Sequence, residues 1–382
     1  SFFLFSVRLG AGDEKGARRL LANSFAWMLI VSVVLTAVFL LTKDALLNWF
    51  GASGVTFPYA DSYMTIYTAG TVFALLSMGM NYFITAQGFP VLGMTTTLIG
   101  AVINIVLDPV FIFLFDMGVA GAAVATVIAQ MSSCAFVLLT LRRKKMRVPL
   151  GLAKPELSAG MRIVKIGFSP FLILATDSII IIALNAVLQH YGGREYGDTL
   201  ITAATIVQSY MLLITSPMLG ITGGSQPLIS YNYGANRPDR IRKTFFWVLV
   251  LCVCFTSVMF LISRIVPQYF VSIFTDNKEY AELAIWGIRA FTLMIIPLSF
   301  QYVIVDGLTA LGMTKTSLSL SLFRKSLYFG ATCVLPVFFA AQSAFYAEPV
   351  ADGVSACVSC IVFSYIYRKY LRGAGRLKEI RI

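Results

Sequence analysis

Charge-free apolar runs dominate this chain. Residues 24–41 and 245–262 contain no Asp, Glu, Lys or Arg. At 1.5 Å rise per residue, roughly 20 helical residues cross the hydrocarbon core of a bilayer. The runs lack the apolar–polar alternation of membrane-barrel strands. A helix is then the spanning structure that satisfies its own backbone in lipid. Ten such segments are legible, at 17–41, 60–84, 95–115, 119–141, 163–189, 199–222, 244–263, 281–308, 317–340 and 350–370. Only 13% of the 382 residues are charged, about half the share of a soluble domain. An all-α, polytopic transmembrane fold is predicted. Residues 1–7 read as the tail of a further helix. With no initiator Met, the chain is expected to be a fragment lacking its natural N-terminus, and no signal peptide is read in it.

The formal charge of +12 could indicate nucleic acid or a membrane surface, and its distribution decides. Alternating sides from the 8–19 loop puts Arg8, Lys15, Arg18 and Arg19 on one face. The 142–165 basic cluster, Arg237, Arg240, Arg242, Lys243, Lys315 and the tail from Arg368 to Arg381 join them. The opposite face receives Lys43, Arg194, Arg264 and Lys278. This asymmetry predicts a cytoplasmic C-terminus and the lipid bilayer as partner. Short juxtamembrane basic loops argue against nucleic acid.

The chain also repeats itself. Arg8-Leu9-Gly10-Ala11 and Asn232-Tyr233-Gly234-Ala235 each lead into a basic pair and a span; the glycines lie 234 − 10 = 224 positions apart. Thr85-Ala86-Gln87-Gly88 and Thr309-Ala310-Leu311-Gly312 keep the same offset, 312 − 88 = 224. Residues 118–123 face 349–354 in the same order. An even number of spans separates equivalent points, so the two halves are parallel repeats, an arrangement in which transporters set their substrate site between the halves. The expected division is an N-terminal lobe at 1–141, a cytoplasmic linker at 142–162 marked by Pro149, Gly151 and Pro155, a C-terminal lobe at 163–371 and a cytoplasmic tail at 372–382.

Enzyme signatures such as HExxH and GxSxG are absent, so neither catalysis nor a cofactor is expected. Gly10-Ala11-Gly12 has no preceding strand and its third glycine is late, which leaves a helix-connecting turn rather than a dinucleotide loop. Cys357 and Cys360 sit inside an apolar helix and read as small buried residues. Polar groups inside the spans remain. Asp108 lies well within 95–115, and a mid-membrane carboxylate costs about 2.5–3.5 kcal/mol on insertion scales. Asn104 is one turn earlier on the same face. Pro109 frees the carbonyl of Ile105. Such an oxygen-rich face suits a proton or Na⁺, against a bland alternative of interhelical glue. Asp177, with Asn185 eight residues on, is a second intramembrane carboxylate. Asp306 and Glu348 read as caps or loop anchors; of Arg289, Arg324 and Lys325, all inside spans, some are expected to snorkel, and Arg289 to pair with an acid of the second half. His190 reads as interfacial.

These residues resemble the multidrug and toxic compound extrusion (MATE) transporters, and within them the bacterial DinF-like branch. The resemblance is carried by Leu9-Gly10-Ala11-Gly12-Asp13, Ala86-Gln87-Gly88, residues 104–113, residues 118–126, the run 226–235 ending Tyr231-Asn232-Tyr233-Gly234-Ala235, and Tyr346-Ala347-Glu348-Pro349-Val350-Ala351-Asp352. It implies twelve helices in two six-helix lobes, of which this chain would hold about ten and a half, its first helix missing. It also implies an ion-coupling site at Asn104, Asp108 and Thr126, completed by an Asp of the absent helix. Asn81 and Gln130 would face the same cavity. Asp177 and Asn185 are the cavity candidates of the second half. The expected activity is a monomeric secondary antiporter of the cell membrane that exports cationic amphiphilic drugs in exchange for H⁺ or Na⁺. The alternatives are a flippase of lipid-linked precursors or oligosaccharides, and a non-transporting membrane scaffold.

Overall fold

The computed structural model describes residues 2–49, 56–151 and 155–371. Ser1, residues 152–154 of the expected linker (Lys154 among them) and the expected tail 372–382 lie outside the described residues. The described chain is helical throughout, in two compact units, Ser1–Val164 and Lys165–Ile382.

In the first unit α1 (Phe2–Gly10), α2 (Glu14–Trp49), α3 (Phe57–Ala69), α4 (Thr71–Ala86), α5 (Pro90–Pro109) and α6 (Gly118–Arg142) follow one another. The segment expected at 60–84 is bent by 47° between α3 and α4. Gly70 at the bend lets α3 approach α6, since a Cβ there would stand 2.4 Å from Val127 Cγ2. α6 packs against α3, α4 and α5. Its small buried residues Gly121, Ala123, Ala125 and Ala129 permit that close approach.

The expected linker is fastened to the first unit. Arg19 Nε donates to Glu156 Oε1 at 2.7 Å, Trp27 Nε1 to the Glu156 carbonyl at 3.0 Å, and the Glu156 amide to Asn23 Oδ1 at 2.8 Å. Gly160 lies against the Trp27 indole, where a Cβ would stand 2.4 Å from Cε2. The Val148 amide donates to Gln87 Oε1 at 2.8 Å, and Val148 is buried. The hydrogen bond from Arg19, and then its charge, hold the Glu156 carboxyl below its ordinary range. The helix that follows begins at Leu157, inside the expected linker.

The second unit runs through α7 (Leu157–Gly234), α8 (Pro238–Ile265), α9 (Pro267–Val271), α10 (Lys278–Phe291), α11 (Ile295–Ala310), α12 (Thr314–Phe338) and α13 (Ala347–Ile366). Gly193, at φ 71° and ψ −169°, divides α7 into two helices. α11 packs on α8 and α13, and α12 on α13. Tyr210, Ile214, Phe291 and Phe345 are among the buried core side chains.

Each of the ten expected spans is thus helical. Eight described segments are long and apolar enough to cross a membrane, and the bent α3–α4 pair makes nine. α12 has the length, 25 residues, but Lys315, Arg324 and Lys325 dilute its apolar run.

The internal repeat is visible in the backbone. Gly12 (φ 82°) and Asn236 (φ 54°) are both left-handed, and 236 − 12 = 224. Gly88 (φ 91°) and Gly312 (φ 79°) repeat the offset, 312 − 88 = 224. The turn bonds match as well: Asp13 N to Arg8 O and Arg237 N to Asn232 O are both 2.9 Å. No atom lies within 4 Å of a Cβ at Gly12 or Gly88, so the positive φ, and not crowding, requires glycine there. Asn, the residue most tolerant of this conformation after glycine, serves at 236.

Candidate functional site

Pro109 ends the regular part of α5, because it has no N–H to give the ladder. The chain continues as a π-helical turn, Val110–Leu114, with Phe115 N donating to Val110 O at 3.0 Å. Such turns recur at functional sites. One residue before the proline, Asp108 accepts from Asn104 Nδ2 at 3.0 Å through Oδ1. The same amide reaches Thr126 Oγ1 on α6 at 3.4 Å, and that hydroxyl donates to Ala122 O at 2.9 Å. The three expected ion-coupling residues therefore gather on two packed helices, each half-buried. Among the described residues Asp108 has no ion-pair partner. On α3 the stacked Tyr63–Tyr67 pair has centroids 5.7 Å apart, and Tyr63 is close enough to feel the charge of Asp108. Lys43, the basic residue at that end of α2, is taken by Asp61 at 2.5 Å and Thr65 at 2.9 Å. Carboxylate, carboxamide and hydroxyl oxygens in this arrangement suit a proton or a hard monovalent cation. Among the described residues no group of three or more His, Cys, Asp or Glu is placed to hold a metal ion.

Asn81 and Gln130 do not hydrogen-bond to this trio among the described residues. Asn81 Nδ2 donates to the Gly93 carbonyl at 3.1 Å, which ties α4 to α5 beside the Gly88 turn. The side-chain oxygens of Asn81 and Gln130 are buried without a partner.

The second unit holds a charge network that the sequence reading did not assemble. Arg324 on α12 donates through Nε to Asp352 Oδ1 at 2.7 Å and through Nη2 to Glu348, and Tyr302 lies 6.0 Å from its guanidinium carbon. Glu348 and Asp352 are one turn apart on α13, so both face Arg324. Lys325 donates to the Ile173 carbonyl and pairs with Asp177 at 2.5 Å; its side chain is 6% exposed and that of Asp177 51%. These findings correct four expectations. Glu348 is an ion-pair partner, not a cap, because α12 supplies a buried guanidinium opposite it. Asp306 is not a cap either, but accepts from Thr222 Oγ1 at 2.5 Å on α7. Arg324 and Lys325 do not snorkel, since acids lie within reach inside the helices. Among the described residues Arg289 pairs with no acid; it donates to the Arg264 carbonyl at 3.3 Å, and Arg264 returns a bond to the Arg289 carbonyl at 2.6 Å. A cavity of about 150 Å³ opens on this network, lined by Asp177, Tyr302, Asp306, Arg324 and Lys325 together with apolar residues. Asn185 does not line it, and its side-chain oxygen is buried without a partner. The pairing of Arg324 had one local signal, two acids four apart in an apolar helix.

This fold and these residues set the chain among known proteins. The MatE family profile matches residues 3–110 and 171–330, and the chain belongs to that family. It is 24% identical over 371 residues to multidrug export protein MepA of Staphylococcus aureus (strain NCTC 8325 / PS 47), covering 95% of this chain and 79% of MepA. Among solved structures it shares its fold with an outward-facing multidrug resistance MATE family transporter of the MOP superfamily. There the TM-score is 0.89 at 20% identity, over 97% of this chain and 83% of the other. A MOP superfamily transporter of Pyrococcus furiosus matches with TM-score 0.88 at 21% identity, over 97% and 83%.

Proposed function

We propose that this chain is a secondary antiporter that exports organic cations, drugs among them, in exchange for H⁺ or Na⁺. Membership of the MatE family and the likeness to a multidrug export protein support drug export. The observation that carries the coupling is the Asn104–Asp108–Thr126 cluster around a carboxylate with no fixed cation. Asp108 holds the incoming ion, with Asn104 and Thr126 as co-ligands. Binding of the ion disfavours binding of the drug and biases the transporter between inward- and outward-facing states. One charge moved through 100 mV supplies about 2.3 kcal/mol, enough for a roughly 50-fold gradient of cargo. The protein works as a monomer in the cell membrane with its C-terminus in the cytoplasm.

A second reading, from the same larger exporter group, is export of a phosphate-bearing lipid-linked precursor or oligosaccharide. Charge arithmetic favours cations here. In the second unit Arg324 and Lys325 pair with Asp177, Glu348 and Asp352, and Asp306 lines the same cavity, two bases against four acids. Among the described residues of this network no base is left over for a phosphate. The test is efflux of ethidium from cells producing the protein or its Asp108→Asn variant. Ion-driven efflux is expected to vanish in the variant, and undiminished efflux would end the coupling role of Asp108.

A further inference from the structure

Asp177 and Lys325 form an unusual pair. The ammonium is buried and approaches from behind, anchored by the Ile173 carbonyl as well as by the carboxylate. The carboxylate is half exposed and lines the cavity. One face of Asp177 is therefore occupied by an internal cation while the other is open to an external one. Its neighbours sharpen the point. Arg324 is held by both Glu348 and Asp352 and is not free to compete. Asp306, across the cavity, has Thr222 and Gln226 as hydrogen-bonding partners and, among the described residues, no base. Tyr302 supplies an aromatic wall.

We propose that this cavity is a cation-binding site in which Lys325 is a tethered competitor for Asp177. The inference rests on the cationic-cargo reading above. Pockets that take drug-sized molecules measure about 300–1,000 Å³, and this cavity measures about 150 Å³. It therefore takes the cationic head group of a cargo and not a whole drug. An alkylammonium or quaternary ammonium sits on the open face of Asp177 and against Tyr302. Lys325 cannot leave the site, and its charge opposes every incoming cation. That repulsion keeps affinity low enough for release, while in the empty protein the same ammonium neutralises an intramembrane carboxylate.

The sign of one substitution tests this. Removing a competitor tightens binding, whereas removing a mere structural prop weakens it. Calorimetric titration of the purified protein in nanodiscs with benzyltrimethylammonium, without any ion gradient, is expected to show Lys325→Gln binding about tenfold tighter than wild type and Asp177→Asn about tenfold weaker. Unchanged or weaker binding by Lys325→Gln would overturn the competitor role. Lys325→Gln leaves a carboxylate unpaired and could fail to fold. The double variant Asp177→Asn/Lys325→Gln removes both charges and is expected to bind more tightly than Asp177→Asn alone but more weakly than wild type. Wild-type affinity in the double variant would overturn the site. Because no gradient is imposed, these titrations are independent of Asp108. Loss of ion-driven efflux in Asp108→Asn with unaltered titrations would leave the antiporter standing and refute only the competitor.

Discussion

The two units share their turns and differ in their charges. Both place a left-handed residue at the same two joints, 224 positions apart, and the same backbone bonds close those joints. The helix that follows the second joint, α5 in one unit and α12 in the other, carries opposite electrostatics. At the shared offset Asp108 corresponds to Thr332, and Arg324 to Gly100. In the first unit the helix presents an acid with no base among the described residues. Gly100 opposite α6 leaves no room for one, since even a Cβ would stand 2.5 Å from Ser133 Oγ. In the second unit the helix presents two bases, each occupied by acids of its own unit. The lesson is a division of labour. One repeat keeps a carboxylate with no base beside it among the described residues; the other pairs its two bases with acids of its own unit.

That division can be broken most severely at Arg324. Its replacement by Met leaves Glu348 and Asp352 buried and unpaired, and breaking a buried pair costs about 3–5 kcal/mol. A large fall in the midpoint of thermal unfolding in detergent is expected. A variant as stable as wild type would show that the network is not needed to hold α12 against α13. The shared turns give a smaller effect. Gly88→Ala and Gly312→Ala each force a Cβ into a left-handed conformation, a penalty of about 1–2 kcal/mol. Asn236→Gly removes a side chain from the same conformation, and is expected to change the unfolding midpoint little. Equal losses for all three would contradict the equivalence of the joints.

These joints mark what was legible in advance. Helices were readable because apolar runs of bilayer length have one backbone solution. The repeat was readable because glycine is demanded wherever φ is positive. Asn104 and Asp108 were readable as neighbours because four residues make one helical turn, whereas Thr126 was reached only through family resemblance. The Arg324 network was not legible: its partners lie on another helix, 24 and 28 residues away, and no local period announces such a contact. For the same reason Asp306 and Glu348 were mistaken for helix ends. The fastening of the linker was hidden too, since a Pro- and Gly-containing basic stretch looks the same whether docked or free.

The smallest expected effect lies at that fastening. The carboxyl of Glu156 titrates below its reference value of 4.5 because Arg19 bonds its charged form. Its contribution to folding is therefore complete above that reference and disappears as pH falls below it through the lowered folded-state value. Both side chains are exposed to solvent, so the effect is slight and screened by salt. Glu156→Gln is expected to flatten the acid limb of a stability–pH profile slightly; an unchanged limb would remove Glu156 from it.

The central claim is that the unpaired acid of the first unit couples a mobile ion to cargo. Proteoliposomes of the protein, loaded with ethidium and given a pH gradient or a Na⁺ gradient separately, test it most directly. The account predicts dye movement against its own gradient when one of the two ions is supplied, and none in Asp108→Asn. Dye movement at the same rate with no ion gradient, or with Asp108 replaced, would contradict it.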